Sequence, residues 1–145
     1  MKTLLLTIAM LLFSVKQYAQ SVEMFQSTIE ALNNKGFTKS DLVDTYNLLV
    51  KEGEPDSIIR DFLPDYFYFI SIIAEDGVDD LDSYIYYYPG GDLFQSNETE
   101  GYRSIHHWFS PNYAGKRKIV VKAYKTKCPT CYYIVTVRVF ARKKS

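Results

Sequence analysis

From Ser57 to Arg142, apolar and polar side chains alternate with the period of two that marks a strand with one buried face. Tyr132–Arg142 shows it most clearly. Tyr133, Val135, Val137, Val139 and Ala141 fall on one side, and Thr136, Arg138 and Arg142 on the other. Arg117–Lys125 groups Ile119, Val121 and Ala123. Ser104–Phe109 sets Ile105, His107 and Phe109 against His106 and Trp108. Tyr66–Ala74 is apolar on both sides. Ser57–Phe62, Ser83–Tyr88 and Leu93–Ser96 are shorter candidates. Turn residues separate these runs: Pro64-Asp65, the acidic stretch Glu75–Asp82, Pro89-Gly90-Gly91-Asp92 and the loop Pro111–Lys116. Seven or eight short strands without intervening helices predict a mainly β chain folded as an antiparallel sandwich.

Ahead of this body the period lengthens. Ser21–Asn34 carries Val22, Phe25, Ile29 and Leu32 at helical spacing, and Gly36 stands where a C′ glycine ends a helix. Thr38 followed by Asp41 has capping-box spacing. Leu42, Val43, Tyr46 and Leu49 or Val50 continue an apolar stripe, although the Leu48-Leu49-Val50 run also suits a strand. The expectation is one domain over 20–145, with a helical head at 21–51 and a β-sandwich at 57–141.

Residues 1–19 read differently. Lys2 precedes the apolar run Thr3–Phe13, and the more polar Ser14–Ala19 follows. That is the layout of a secretory signal peptide, with cleavage expected after Ala19. The apolar run is about half of the roughly 20 residues a spanning helix needs. No second run is long enough to span. The expected location is secreted or periplasmic.

Charge is divided along the chain. All 17 acidic residues lie at or before Glu100, whereas residues 101–145 carry 11 Lys and Arg and no acid. One folded domain brings the halves together and cancels much of the field. Without Lys2 and Lys16 the balance is 15 basic against 17 acidic residues, so nucleic acid is not an expected partner.

Several constellations suggest chemistry. Glu75, Asp76, Asp79, Asp80 and Asp82 form an acidic cluster, and calcium takes six to eight oxygen ligands. Asp79, Asp80 and Asp82 are the candidate ligands, and calcium is the one cofactor suggested. The same residues also fit a solvated turn answering Lys116–Lys118 or Lys125–Lys127. The Cys128-Pro129-Thr130-Cys131 spacing fits a redox pair, but it falls between two strands, where a structural disulfide is expected. His106 and His107 are the only histidines and point to opposite faces of a strand. No G-x-S-x-G nucleophile motif stands in the chain, and no enzyme is expected. Tyr84, Tyr86 and Tyr88 share one face of their strand, where they serve either as a flat surface for sugars or a protein partner, or as core. Trp108 and Tyr113 are further binding candidates. Asn97-Glu98-Thr99 is a glycosylation sequon.

Asp80-Leu81-Asp82-Ser83-Tyr84-Ile85-Tyr86 runs into Pro89-Gly90-Gly91-Asp92-Leu93. Later come Pro111-Asn112-Tyr113-Ala114-Gly115, Lys118-Ile119-Val120-Val121 and Tyr132-Tyr133-Ile134-Val135-Thr136-Val137. Together these resemble bacterial pre-peptidase C-terminal (PPC-like) domains over about residues 57–141. The resemblance implies a jelly-roll-like sandwich, usually non-catalytic, with roles in secretion, matrix binding or calcium-dependent stability. Two features depart from it. Arg117 or Lys118 replaces the family's Tyr after the glycine turn, and no protease accompanies the module on this chain. The expected function is an exported, non-catalytic module that binds a protein or glycan. A calcium-stabilised envelope or matrix protein is the alternative, followed by a small secreted hydrolase.

Overall fold

The computed structural model describes residues 26–145; the expected signal peptide, its cleavage site and residues 21–25 lie outside them. Eight strands follow a short helix, α1, over 26–34. They are β1 (Leu42–Val50), β2 (Asp56–Phe62), β3 (Tyr66–Ala74), β4 (Val78–Tyr87), β5 (Leu93–Asn97), β6 (Ser104–Phe109), β7 (Gly115–Thr126) and β8 (Tyr133–Lys143). They form two four-stranded antiparallel sheets, ordered β1-β8-β3-β6 and β2-β7-β4-β5. Every connection crosses between sheets except β4–β5.

The alternation in sequence becomes a division between inside and outside. Ile70 and Ile72 of β3 and Val135, Val137 and Val139 of β8 are fully buried. So are Leu81 and Ile85 of β4 and Ile119, Val121 and Ala123 of β7. All belong to one hydrophobic cluster, so the two sheets share a core. Its burial is the main favourable term in folding.

Two sequence expectations are corrected. Leu42–Val50 is not part of a helical head but strand β1, paired along its length with β8. Tyr46, Leu48 and Val50 turn inward, whereas Leu42, Val43 and Leu49, which make the helical stripe, are exposed. Pairing satisfies the open edge of β8, and this tertiary demand overrides local pattern. The Thr38/Asp41 capping pair closes only a 3-10 turn, Lys39–Asp41. Second, most of Glu75–Asp82 is strand rather than turn. β4 begins at Val78 because Val78 and Leu81 are buried, and bulges near Asp80 accommodate the carboxylates between them.

Helix α1 ends as a Schellman motif. Phe37 N–H donates to the Leu32 carbonyl at 2.9 Å and Gly36 N–H to Asn33 at 2.9 Å. Gly36 has φ +73°, which glycine adopts without steric cost. Leu32 and Phe37 then pack on Phe69 and Phe140, covering part of the outer face of the first sheet. Arg142 Nη1 donates to the Gly36 carbonyl and fastens the turn to β8.

The opposed charges meet across β7. Its cross-strand partners place Asp61 beside Lys116, Asp82 beside Lys122 and Asp80 beside Lys125. Asp76 forms ion pairs with Lys127 at 3.0 Å and Arg103 at 3.4 Å. The acidic β2 and β4 thus flank the basic β7.

Arg117 is the largest fully buried side chain. It shares the inward parity of Ile119 and lies directly across from Arg60. The two like charges separate by different means. Arg60 Nε reaches Asp44 of the opposite sheet at 2.7 Å. Arg117 forms no ion pair among the described residues. Its guanidinium lies 4.3 Å from the ring centre of Tyr87, 5.3 Å from Tyr113 and 5.4 Å from Phe94. Flat aromatic faces suit a planar, weakly hydrated cation better than a compact ammonium. We therefore expect Arg117→Lys to lower unfolding free energy by about 2 kcal/mol in urea denaturation. Arg117→Met should hold stability near wild type, because an apolar side chain replaces a buried charge. The opposite ranking would show that the ring contacts contribute little.

Candidate binding face

Alternation on β4 sends Leu81, Ser83 and Ile85 inward, so Tyr84 and Tyr86 project from the outer face of the second sheet. Their rings are stacked, with centroids 6.2 Å apart and planes inclined by 24°. Tyr88, just past the strand, is exposed. Strand register builds a row across this face: Ile59 of β2, Lys118 of β7, Tyr86 of β4 and Leu93 of β5. Ile59 and Leu93 are exposed. Tyr86, Tyr87, Tyr88, Pro89, Gly91, Lys118 and Val120 bound a depression of about 250 Å³. The Tyr88–Pro89 peptide in its rim is cis. Lys118 supplies the only charged group in that lining.

The Tyr84 hydroxyl donates to Asp82 Oδ2 at 3.3 Å. Burial, followed by hydrogen bonds and neighbouring carboxylates, holds the Tyr84 phenol well above its ordinary pKa, so it stays neutral. Burial likewise pushes the Asp82 carboxyl up, with Asp80 and Glu98 adding to the shift. Rings and hydroxyls present both a stacking plane and hydrogen-bonding groups.

The other aromatic candidates lie elsewhere. Trp108 sits on the outer face of the first sheet, stacked on Phe67 at 6.3 Å with Lys35 Nζ 5.0 Å from its ring. Tyr113 stacks on Tyr87 at 6.0 Å and walls the Arg117 box. The structure therefore brings Tyr84, Tyr86 and Tyr88 together, puts Trp108 on the other sheet, and links Tyr113 to them only through Tyr87. Lys118 and Pro89 were not singled out in the sequence. The parity of Lys118 with Val120, opposite to buried Ile119, was the available signal.

The carboxylates of the acidic stretch have separate tasks. Glu75 Oε1 accepts from Ile134 N–H at 2.7 Å, Asp76 pairs with Lys127 and Arg103, and Asp80 Oδ1 accepts from Gly101 N–H at 2.9 Å. Asp79 is exposed and Asp82 is nearly buried. Among the described residues no three His, Cys, Asp or Glu side chains gather as a metal site.

Cys128 and Cys131 form a disulfide in the β7–β8 turn, with their Cα atoms 5.3 Å apart. Tyr133 braces that turn by accepting from Cys128 N–H at 2.9 Å. His106 and His107 face opposite ways, as adjacent strand residues must. His107 lies in the core, and its Nε2 hydrogen-bonds Ser83 Oγ of the opposite sheet at 3.0 Å. Among the described residues no helix is long and apolar enough to cross a membrane.

Two outcomes follow. Because Glu75, Asp76 and Asp80 already hold backbone or cationic partners, the unfolding midpoint in EDTA should equal that in millimolar calcium. A rise in calcium that Asp80→Asn/Asp82→Asn removes would overturn this. Burial, with a smaller contribution from His106, pushes His107 down to about 4. The unfolded chain therefore binds a proton that the folded state refuses between about pH 6.5 and 4. Stability should fall as pH drops through that window, by about 3 kcal/mol, and level off below it. His107→Gln should flatten this part of the profile.

No protein-family model matches the chain, and a search of curated proteins finds no match.

Proposed function

We propose that this chain is an exported, non-catalytic β-sandwich module that binds a glycan through the tyrosine face of its second sheet. The observation that carries the reading is the stacked Tyr84–Tyr86 pair beside a depression of about 250 Å³. Aromatic planes stack on the C–H faces of sugar rings, and a depression of this size takes one ring. Tyr88 and Lys118 at its edge supply polar contacts.

Other observations support the remaining parts. The strand orders 1-8-3-6 and 2-7-4-5, with chain crossings between sheets, favour the jelly-roll form and are compatible with a PPC-like domain. The leader-like residues 1–19 and the Cys128–Cys131 disulfide favour an oxidising compartment outside the cytoplasm. A non-catalytic role is favoured because His107 bonds Ser83 within the core and His106 lies on the opposite face.

The test is co-sedimentation with insoluble polysaccharides such as cellulose, chitin and peptidoglycan, followed by affinity electrophoresis in soluble glycans. Wild type should be retained by at least one of them. Tyr86→Ala and Tyr88→Ala should each weaken binding about tenfold, equivalent to about 1.4 kcal/mol. Failure to bind any polysaccharide, or full binding by both variants, would refute the reading.

A further inference from the structure

A second concave site lies at the β5–β6 connection and shares no lining residue with the tyrosine depression. Asn97, Thr99, Tyr102, Ser104 and His106 line a pocket of about 240 Å³. Its framework is held by hydrogen bonds from backbone N–H groups. Gly101 N–H donates to Asp80 Oδ1 at 2.9 Å, Leu81 N–H to the Tyr102 carbonyl at 2.8 Å, and Ala74 N–H to the Arg103 carbonyl at 2.9 Å. The loop is thereby tied to both sheets, and its side chains are positioned before any ligand arrives.

The polar groups here are unusual for what they lack. His106 Nε2 and Ser104 Oγ are buried atoms without a protein partner, and so is Ser71 Oγ, whose residue pairs with His106 across the strands. Leaving such atoms unmatched is costly, and groups of them call for water or a ligand. Asn97 Oδ1 accepts from the Thr99 hydroxyl at 3.0 Å, which leaves the Asn97 amide NH2 to donate. Tyr102 presents an exposed ring at the rim. Among the described residues no charged side chain lines the pocket. Burial pushes the His106 pKa down, so its imidazole is neutral at pH 7.

From this arrangement we propose that the β5–β6 pocket binds a neutral, polyhydroxylated ligand of monosaccharide size. The ring of Tyr102 stacks on the sugar, and His106, Ser104 and Asn97 exchange hydrogen bonds with its hydroxyls. Alternating hydroxyl donors and acceptors match a set that contains an imidazole, a hydroxyl and an amide. A charged ligand would find no counter-ion there. None of its lining residues bounds the tyrosine depression.

The chain's two histidines supply the test, since their imidazole resonances can be followed separately by NMR in the purified protein. Titration with glucose, galactose, mannose and N-acetylglucosamine should shift the His106 signals saturably for at least one sugar, while buried His107 stays fixed and reports an intact fold. Glucuronate should bind less tightly. Tyr102→Ala and Ser104→Ala should each weaken the response at least tenfold, and Tyr86→Ala should leave it unchanged. The proposal is overturned by no saturable His106 shift with any neutral sugar, by tighter binding of glucuronate, or by an undiminished response in Tyr102→Ala.

Discussion

Burial of every second side chain between two sheets is the constraint on which the rest of the molecule depends. The inward rows of β3 and β8 meet those of β4 and β7 in one cluster, and among the described residues no other cluster has that extent. Once these rows face inward, the pleat fixes what faces outward. On the first sheet that is Phe69 and Phe140, and α1 covers them. On the second sheet it is Tyr84 and Tyr86, with Lys118 between the exposed Ile59 and Leu93. The candidate binding face is the second outer layer left open once the first has received the helix.

The same constraint admits a few polar residues and disposes of each differently. Ser83 and His107 reach each other across the gap between sheets. Arg60 leaves its row to meet Asp44, so it also joins the two sheets at their edge. Arg117 has aromatic faces in place of a counter-ion. Outside the core, charge follows strand order: β7 carries lysines on its outward positions, and β2 and β4 bring aspartates alongside. The charge division along the chain therefore becomes a set of neighbours in space.

How much of this was legible depends on where the controlling information lies. Tyr66–Ala74 and Ser104–Phe109 can be read to the residue because turn residues bound them. The inward set of β8 is equally plain. β1 was misread because Leu42, Val43 and Leu49 are exposed despite being apolar, and only pairing with β8 tells strand from helix. The start of β4 was hidden by its aspartates. The tyrosine row was visible from parity alone, but not which face was outward. Arg117 shares the parity of Ile119, but its burial runs against the usual preference of arginine for solvent and was not read from the sequence. The β5–β6 pocket was invisible, because its residues are brought together by a loop tied to β3 and β4 from a distance in sequence.

The position of β8 carries a temporal meaning. It lies between β1 and β3, and it also offers Phe140 to the helix and Arg142 to the Gly36 turn. A chain delivered from its N-terminal end, by a ribosome or through a translocation pore, presents β1, β3 and the helix well before residues 133–143 appear. Until then the first sheet is split in two, and α1 lacks half of its seat. The contacts that close it join residues nearly a hundred positions apart, so ordering the intervening chain must precede the reward. A chain that has not yet gained β8 lacks the strand that joins β1 to β3.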